Sequence, residues 1–475
     1  MTMRGLGVIG ALICALALAC GGDDDPEATP TPRATSTPEA TATPEAPPTP
    51  SPTATPLPTA TPVPRPEANP FPEDLEADAV ALLAEIAALR GIEEPPLVDM
   101  FLLTRDQARD FYDTGDGDDA PASPPATPGP SPTPAPPPLD TRQELYELLG
   151  LVPETVESGE VPTVQDQEVD NLISIITGFY APQFDAFYMI ETINGGIYGL
   201  LARATIVHEL THALQYQTVE VNRIAGERSG NFDATTALLS VLEGDAVNAE
   251  IALLGFSGRS TLRQPTCFEI PPSRNQGTPY AIERELDVWY EDGLCFVQAI
   301  AEQDPDGIAR IFEDLPETME QVLHPEKYLA GEAALPVTPE SLEETLGGDW
   351  RLLGNGTFGE FGLQNILLNG LPEERVRVQE AAAGWGGDAW RLYVSGDSRL
   401  LHLETVWDTD ADPSQFLDTL AASLANLGFT EEVEGVTATL FREGVTWSLI
   451  AEGRGVTVLV ANDATALAAA REALR

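Results

Sequence analysis

Residues 208–217, HELTHALQYQ, constrain the fold more than any other stretch of this chain. They set His208, Glu209 and His212 in an H-E-x-x-H pattern inside a run with helical character. Two imidazoles at this spacing can grip one metal ion only if the run is a helix, where side chains four apart share a face. Glu209, one position along, then sits where a carboxylate can take a proton from a metal-bound water. The chain has four histidines in 475 residues, and two of them are here. At those frequencies a chance H-E-x-x-H is on the order of one in several hundred. The fold must therefore bury this helix and bring a further ligand to the face that carries the histidines.

A catalytic zinc site takes three protein ligands and leaves a fourth position open. A third histidine six residues after the second is one way to complete it, but Thr218 stands there. The next helix expected, at about 233–254, reads DATTALLSVLEGDAVNAEIALL and is apolar except for Glu243, Gly244 and Asp245 near its middle. Carboxylates inside an apolar helix are costly unless they bind something. Gly244 costs about 1 kcal/mol relative to Ala there, which points to close approach of another backbone or a ligand. Glu243 is the expected third ligand, completing a His208, His212, Glu243 set for Zn2+. Asp245 is expected to orient an imidazole through its free N–H. The competing reading is that EGD marks a break between two shorter helices.

The N-terminus reads as an export signal. Arg4 is followed by an apolar run from Gly5 to Ala19. About fifteen apolar residues are too few to span a bilayer but suit a secretory signal. Ala17-Leu18-Ala19 fits a small-x-small cleavage site, and Cys20 follows it. That order resembles a bacterial lipobox with Ala17 in the usual leucine place, so Cys20 is the expected lipidation site; plain secretion is the alternative. From 26 to about 70 the chain is nearly all Pro, Thr, Ala, Ser and Glu, an extended spacer that cannot bury a core. At about 3.1 Å per residue, some 45 residues reach about 140 Å.

Charge and cysteines agree with that compartment. The formal net charge is −51, and Lys327 is the single lysine. So acidic a surface repels nucleic acid and anionic head groups, and excludes a nucleic-acid partner. Cys14 lies in the signal and Cys20 is assigned, leaving Cys267 and Cys295. In an exported domain these form a plausible disulfide, with two free thiols the alternative. Closing a loop of about 28 residues contributes about 3 kcal/mol in the chain-entropy model.

Between these ends the pattern is mixed. Residues 73–90 read as a helix ending at Arg90-Gly91, PLVDMFLLT as a strand, and TRDQARDFYD as a helix capped by Thr104. A second Pro-rich stretch occupies 115–139, and helical patterning resumes at TRQELYELLGLV. FYAPQFDAFYMIE reads as a hairpin around a Pro-containing turn. Gly195-Gly196 breaks the chain before the motif helix, expected at about 197–218. FDAFYMI is a candidate for an edge strand beside the cleft, where a peptide can pair, and equally for an ordinary core strand.

HELTHALQYQ followed by LEGDA resembles the gluzincin group of zinc metallopeptidases. More narrowly, it resembles exported bacterial proteins carrying HELxHALQDQ, EGDA, Y-x-x-G-x-x-F-V and HPEKYL. Tyr290, Gly293, Phe296 and Val297 match the third element, and residues 324–329 the fourth. GFYAPQFDAFYMI is similar to the group's G-F-Y-D-P region, with Ala181 for Asp; Tyr216 precedes Gln217 where the pattern has Asp. The likeness runs from about 75 to 465 outside the Pro-rich insert. It implies zinc on His208, His212 and Glu243, Glu209 as general base, and a peptide or protein substrate. Enzymes of this kind often add a Tyr or His that holds the oxyanion; the candidates are His324, Tyr328 and Tyr290, of which Tyr290 reads as a core residue.

From 388 the chain alternates like strands: WRLYVSG, LLHLETVWD, TATLFREG, TWSLIAEG and VTVLVAN, with helices at about 413–427 and 464–475. This ββαβββα order suggests a small antiparallel unit entered through GWGGD, with His402 a sheet residue. The expected fold is α+β: a mainly helical zincin-like peptidase domain with a short sheet, plus a C-terminal antiparallel α+β unit. The divisions are a signal (1–20), a tether (21–70), an N-terminal α/β segment (71–114), a Pro-rich insert (115–139), the peptidase domain (140–383) and the C-terminal domain (384–475). The expected activity is peptide hydrolysis outside the cytoplasm by a membrane-tethered enzyme. The rival is a cell-surface binding or scaffolding protein whose zinc is structural.

Overall fold

A computed structural model describes residues 65, 67–114, 139–152, 163–164, 167, 176–191, 199–258, 266–273, 279–304, 306–434, 437–442 and 444–474. The expected signal with Cys20, nearly all of the expected tether, most of the 115–139 insert and Gly195-Gly196 lie outside these. Among the described residues no helix is long and apolar enough to cross a membrane. The fold is α+β, with two sheets.

The first sheet has the order β1-β2-β4-β3. Its strands are β1 (Asn69–Pro70), β2 (Asp99–Leu103), β3 (Gly178–Ala181) and β4 (Ala186–Ile190). β2 and β4 run parallel, while β3 and β4 form the antiparallel hairpin expected around Pro182. FDAFYMI is therefore an interior strand, and the edge belongs to GFYA. Helix α1 (Glu73–Leu89) precedes β2, and α2 (Arg105–Thr114) follows it. A capping box starts α2: Gln107 N–H donates to Thr104 Oγ1, and Thr104 N–H donates to Gln107 Oε1.

Helix α3 (Thr141–Leu149) begins at an Asp140 cap and ends at Gly150 with φ 71°. The motif helix α4 (Gly199–Thr218) packs against α1, β3 and β4. Its Ile206, Val207, Leu210 and Leu214 share one core with Ile86, Phe187 and Met189. Helix α5 (Phe232–Leu254) runs unbroken from an Asn231 cap to Gly255, φ 76°. Glu243, Gly244 and Asp245 lie inside one helix, which rules out the broken reading.

Helix α6 (Tyr280–Asp287) leads through a π turn (Val288–Asp292) into α7 (Gly293–Gln303), which lies along α5. The two meet at glycines. A Cβ on Gly244 would collide with the Gly293 and Leu294 backbone, and one on Gly293 with the Ser240 backbone. The close approach expected at Gly244 is thus to another backbone. Cys267 and Cys295 form a disulfide, Cα to Cα 5.5 Å, tying the loop before α6 to α7.

The second sheet is antiparallel throughout, in the order β5-β6-β7-β11-β10-β9-β8. Its strands are β5 (Arg351–Gly356), β6 (Trp385–Ser395), β7 (Ser398–Trp407), β8 (Thr430–Glu434), β9 (Thr437–Arg442), β10 (Val445–Glu452) and β11 (Gly455–Ala461). One face carries Trp390, Leu403, Trp447 and Val458 under α8 (Gly359–Leu368), α9 (Arg375–Ala382) and α10 (Asp412–Asn426). The other face meets α11 (Ala464–Ala473) through Leu467 and Ala470. Two strands exceed the expected set. β8 escaped notice because TEEVE has no apolar alternation. β5, with two glycines, reads as loop and joins the sheet only by pairing with β6. The C-terminal unit therefore reaches back to about 350, not 384, and GWGGD lies in and just before β6. His402 is a fully buried residue of β7.

Candidate metal centre

The α4 helix puts His208 and His212 one turn apart, ring centroids 4.7 Å from each other. The α5 helix crosses it so that Glu243 reaches both: Oε2 is 3.0 Å from His208 Nε2 and 3.6 Å from His212 Nε2. One ligand atom from each of the three lies within 4.8 Å of the others. Ligands about 2.0–2.1 Å from a tetrahedral zinc are about 3.3 Å apart, which these two distances bracket. All three residues are buried, yet His212 Nε2 has no hydrogen-bond partner among the described residues. A buried acceptor facing a carboxylate with no proton donor is an arrangement a cation completes. The residues fit a divalent metal.

Glu209 is buried beside them, and its Oε2 accepts the Tyr180 N–H from edge strand β3 at 2.8 Å. Burial raises the Glu209 pKa above the usual carboxylate range; the two neighbouring histidines oppose this. Burial pushes Glu243 the same way, but the two imidazoles outweigh it and hold the carboxyl well below its ordinary value. Burial opposes protonation of His208, yet hydrogen bonds to Glu243 and Glu250 raise its pKa well above 6.5.

The residues behind the ligands differ from expectation. Asp245 touches neither imidazole: its Oδ2 accepts from Arg90 at 2.6 Å and from Gln215 Nε2 at 2.8 Å. Two positions along a helix is about 200° of rotation, so Asp245 faces away from Glu243. Glu250, seven positions on, returns to the same face, and its Oε1 lies 2.8 Å from His208 Nδ1. Its other oxygen accepts the Gly258 N–H at 2.6 Å. Gln215 Oε1 lies 2.8 Å from His212 Nδ1. Sequence reasoning missed both; the seven-residue spacing from Glu243 was the available signal for Glu250.

His324 stands apart from this trio. Its Nε2 pairs with Glu360 of α8 at 2.9 Å, at the junction with the second sheet, and His324 directly precedes the short helix Pro325–Ala330. The turn geometry imposed by Pro325 aims it at that junction rather than at the motif helix. Tyr328 donates to the Asp314 carbonyl, and its ring packs on Phe296. Tyr290, read as a core residue, is the candidate that reaches the centre: its half-buried ring lies 5.9 Å from that of His208. The π turn at 288–292 shifts the register that places it there.

A second acidic group, Glu320, Glu332 and Asp408, also has metal-like spacing. Lys327 Nζ lies among all three at 2.6, 2.9 and 2.8 Å, so an ammonium already supplies the cation.

Residues 350–471 match a family model described as "Domain of unknown function (DUF8575)", which starts at the edge of β5. No curated protein and no solved structure matches the chain.

Proposed function

We propose that the chain is an extracytoplasmic zinc metallopeptidase, tethered to a membrane through lipidated Cys20, with a zincin-like catalytic domain. What supports this reading is the convergence of ligand atoms of His208, His212 and Glu243, with His212 Nε2 lacking a hydrogen-bond partner among the described residues and Glu209 alongside. Zinc bound there supplies Lewis acidity and lowers the pKa of water. Glu209, steadied by the Tyr180 N–H, takes the proton of the attacking water and hands it to the departing amine. Glu250 and Gln215 hold the two imidazoles in place. Tyr290, whose ring lies 5.9 Å from that of His208, is the side chain we assign to stabilise negative charge developing on the scissile carbonyl.

Zinc content and cleavage of a peptide library by wild type and Glu209→Gln test this. Zinc is expected in both forms and cleavage only in wild type; zinc with cleavage by neither returns the chain to a binding protein with a structural metal. Glu243→Ala is expected to lose the metal.

A further inference from the structure

The geometry points to a hydrogen-bond relay, Arg90–Asp245–Gln215–His212, that decides which nitrogen of His212 is free to bind metal. The inference rests on the zinc reading above and extends the metal centre to the end of α1, more than a hundred residues earlier in sequence. None of the three outer residues touches a reacting atom; they are positioning residues.

The relay follows from what each group can donate. Gln215 is buried, with Nε2 2.8 Å from Asp245 Oδ2 and 3.0 Å from the Leu242 carbonyl. A carbonyl can only accept, and Asp245 Oδ2 also faces the Arg90 guanidinium at 2.6 Å, which can only donate. Both neighbours of the Gln215 amide nitrogen therefore require a donor. The amide cannot be turned round, whichever way it was first drawn. Its oxygen must face His212 Nδ1, 2.8 Å away, and an amide oxygen only accepts. Nδ1 must then carry the hydrogen. A neutral imidazole has one N–H, so Nε2 keeps its lone pair, and Nε2 is the buried atom that has no hydrogen-bond partner among the described residues.

Removing the acceptor at 245 leaves only the Leu242 carbonyl to hold the amide. With Ala there, the amide turns more readily and can present its NH2 to His212 Nδ1; the proton then moves to Nε2, and the ligand lone pair is lost. His208 needs no such spacer, because Glu250 meets its Nδ1 directly. Asp245 is on the far side of α5 from Glu243, so it acts on the centre through an amide.

The test uses the full chain labelled with 15N-histidine, whose four histidines give few signals. Long-range 1H–15N correlations on metal-free protein at pH 8.5 read the His212 tautomer, and chelator competition reads zinc affinity. Wild type is expected to carry hydrogen on Nδ1. Asp245→Ala and Gln215→Leu are expected to weaken or lose that preference and to bind zinc about 10- to 100-fold more weakly. Arg90→Lys, which still donates, should stay near wild type. If Asp245→Ala does not fold, Gln215→Leu, which removes the acceptor at His212 Nδ1 and brings no charge into the core, carries the test. Zinc affinity within twofold of wild type in Asp245→Ala or Gln215→Leu, or an unchanged His212 tautomer in them, overturns the relay. Wild type with hydrogen on Nδ1 that binds no zinc supports the relay and overturns the zinc reading instead.

Discussion

Glu250 and Asp245 lie on one helix five residues apart and serve different histidines, one directly and one through Gln215. Helical rotation accounts for the division: about 700° of accumulated turn, some 20° short of two full turns, brings Glu250 almost back in line with Glu243, while Asp245 is nearly opposite. Glu250 accepts from both His208 and the Gly258 N–H, a pair of acceptances that an amide cannot make. Glu250→Gln is therefore expected to weaken zinc binding about tenfold or more without unfolding the protein. Chelator competition with an unchanged affinity would remove Glu250 from the centre. At Tyr290, substitution by Phe is expected to lower kcat by about tenfold or more while leaving zinc content intact. Loss of zinc instead of rate would show that Tyr290 only packs against His208.

At the scale of elements, the site depends on how closely α5 can lie on α7. Gly244 and Gly293 remove the side chains that would hold those backbones apart. Gly244→Ala gains about 1 kcal/mol of helix propensity, but overpacking against backbone costs about 1–3 kcal/mol or more. A net lower urea midpoint is expected, and because Glu243 is the adjacent residue, a lower zinc affinity with it. The disulfide clamps the other side of α7 to the loop before α6. Replacing Cys267 and Cys295 by Ser is expected to cost about 3 kcal/mol, again read as a shifted midpoint. A double variant as stable as wild type would mean that packing alone positions α7.

Across the whole molecule, the helical half and the second sheet are joined by buried charge. Lys327 bridges Glu320 beside it to Asp408 after β7. Removing its charge with Lys327→Met strands the buried Glu320 carboxylate and the partly exposed Asp408, an expected loss of about 2 kcal/mol by denaturation. Burial raises Asp388 to about 6, and Asp292 and Glu320 to about 7. A folded carboxylate with a raised pKa keeps a proton that the unfolded chain has released. Its contribution to stability is present below the unfolded value near 4 and is lost as pH rises through the folded value. His324, raised by its bond to Glu360 against the opposing effect of burial, loses its contribution in the same direction as pH rises through its folded value. The urea midpoint is therefore expected to be lower at pH 8 than at pH 5, with most of the carboxylate-driven fall between pH 4 and 7. A midpoint that rises over that window would contradict these burial effects.

By itself the sequence determined what depends on local periodicity and on one residue's chemistry. That includes the motif helix with its two histidines, the unbroken α5 carrying Glu243, the hairpin around Pro182, and most of the C-terminal strands. It also marked Gly244 as a place of close approach, because glycine within an apolar helix is costly without one. Tertiary structure alone decided which strand holds the edge of the first sheet and that RLLGNG closes the second, since pairing partners are distant in sequence. It also separated His324 from the centre, brought Tyr290 to His208, and gave the outer roles to Glu250, Gln215 and Arg90. Hydrogen bonds to the far nitrogens of the histidines depend on how helices cross and on rotation about each axis, and these are set by packing among residues up to 155 positions apart.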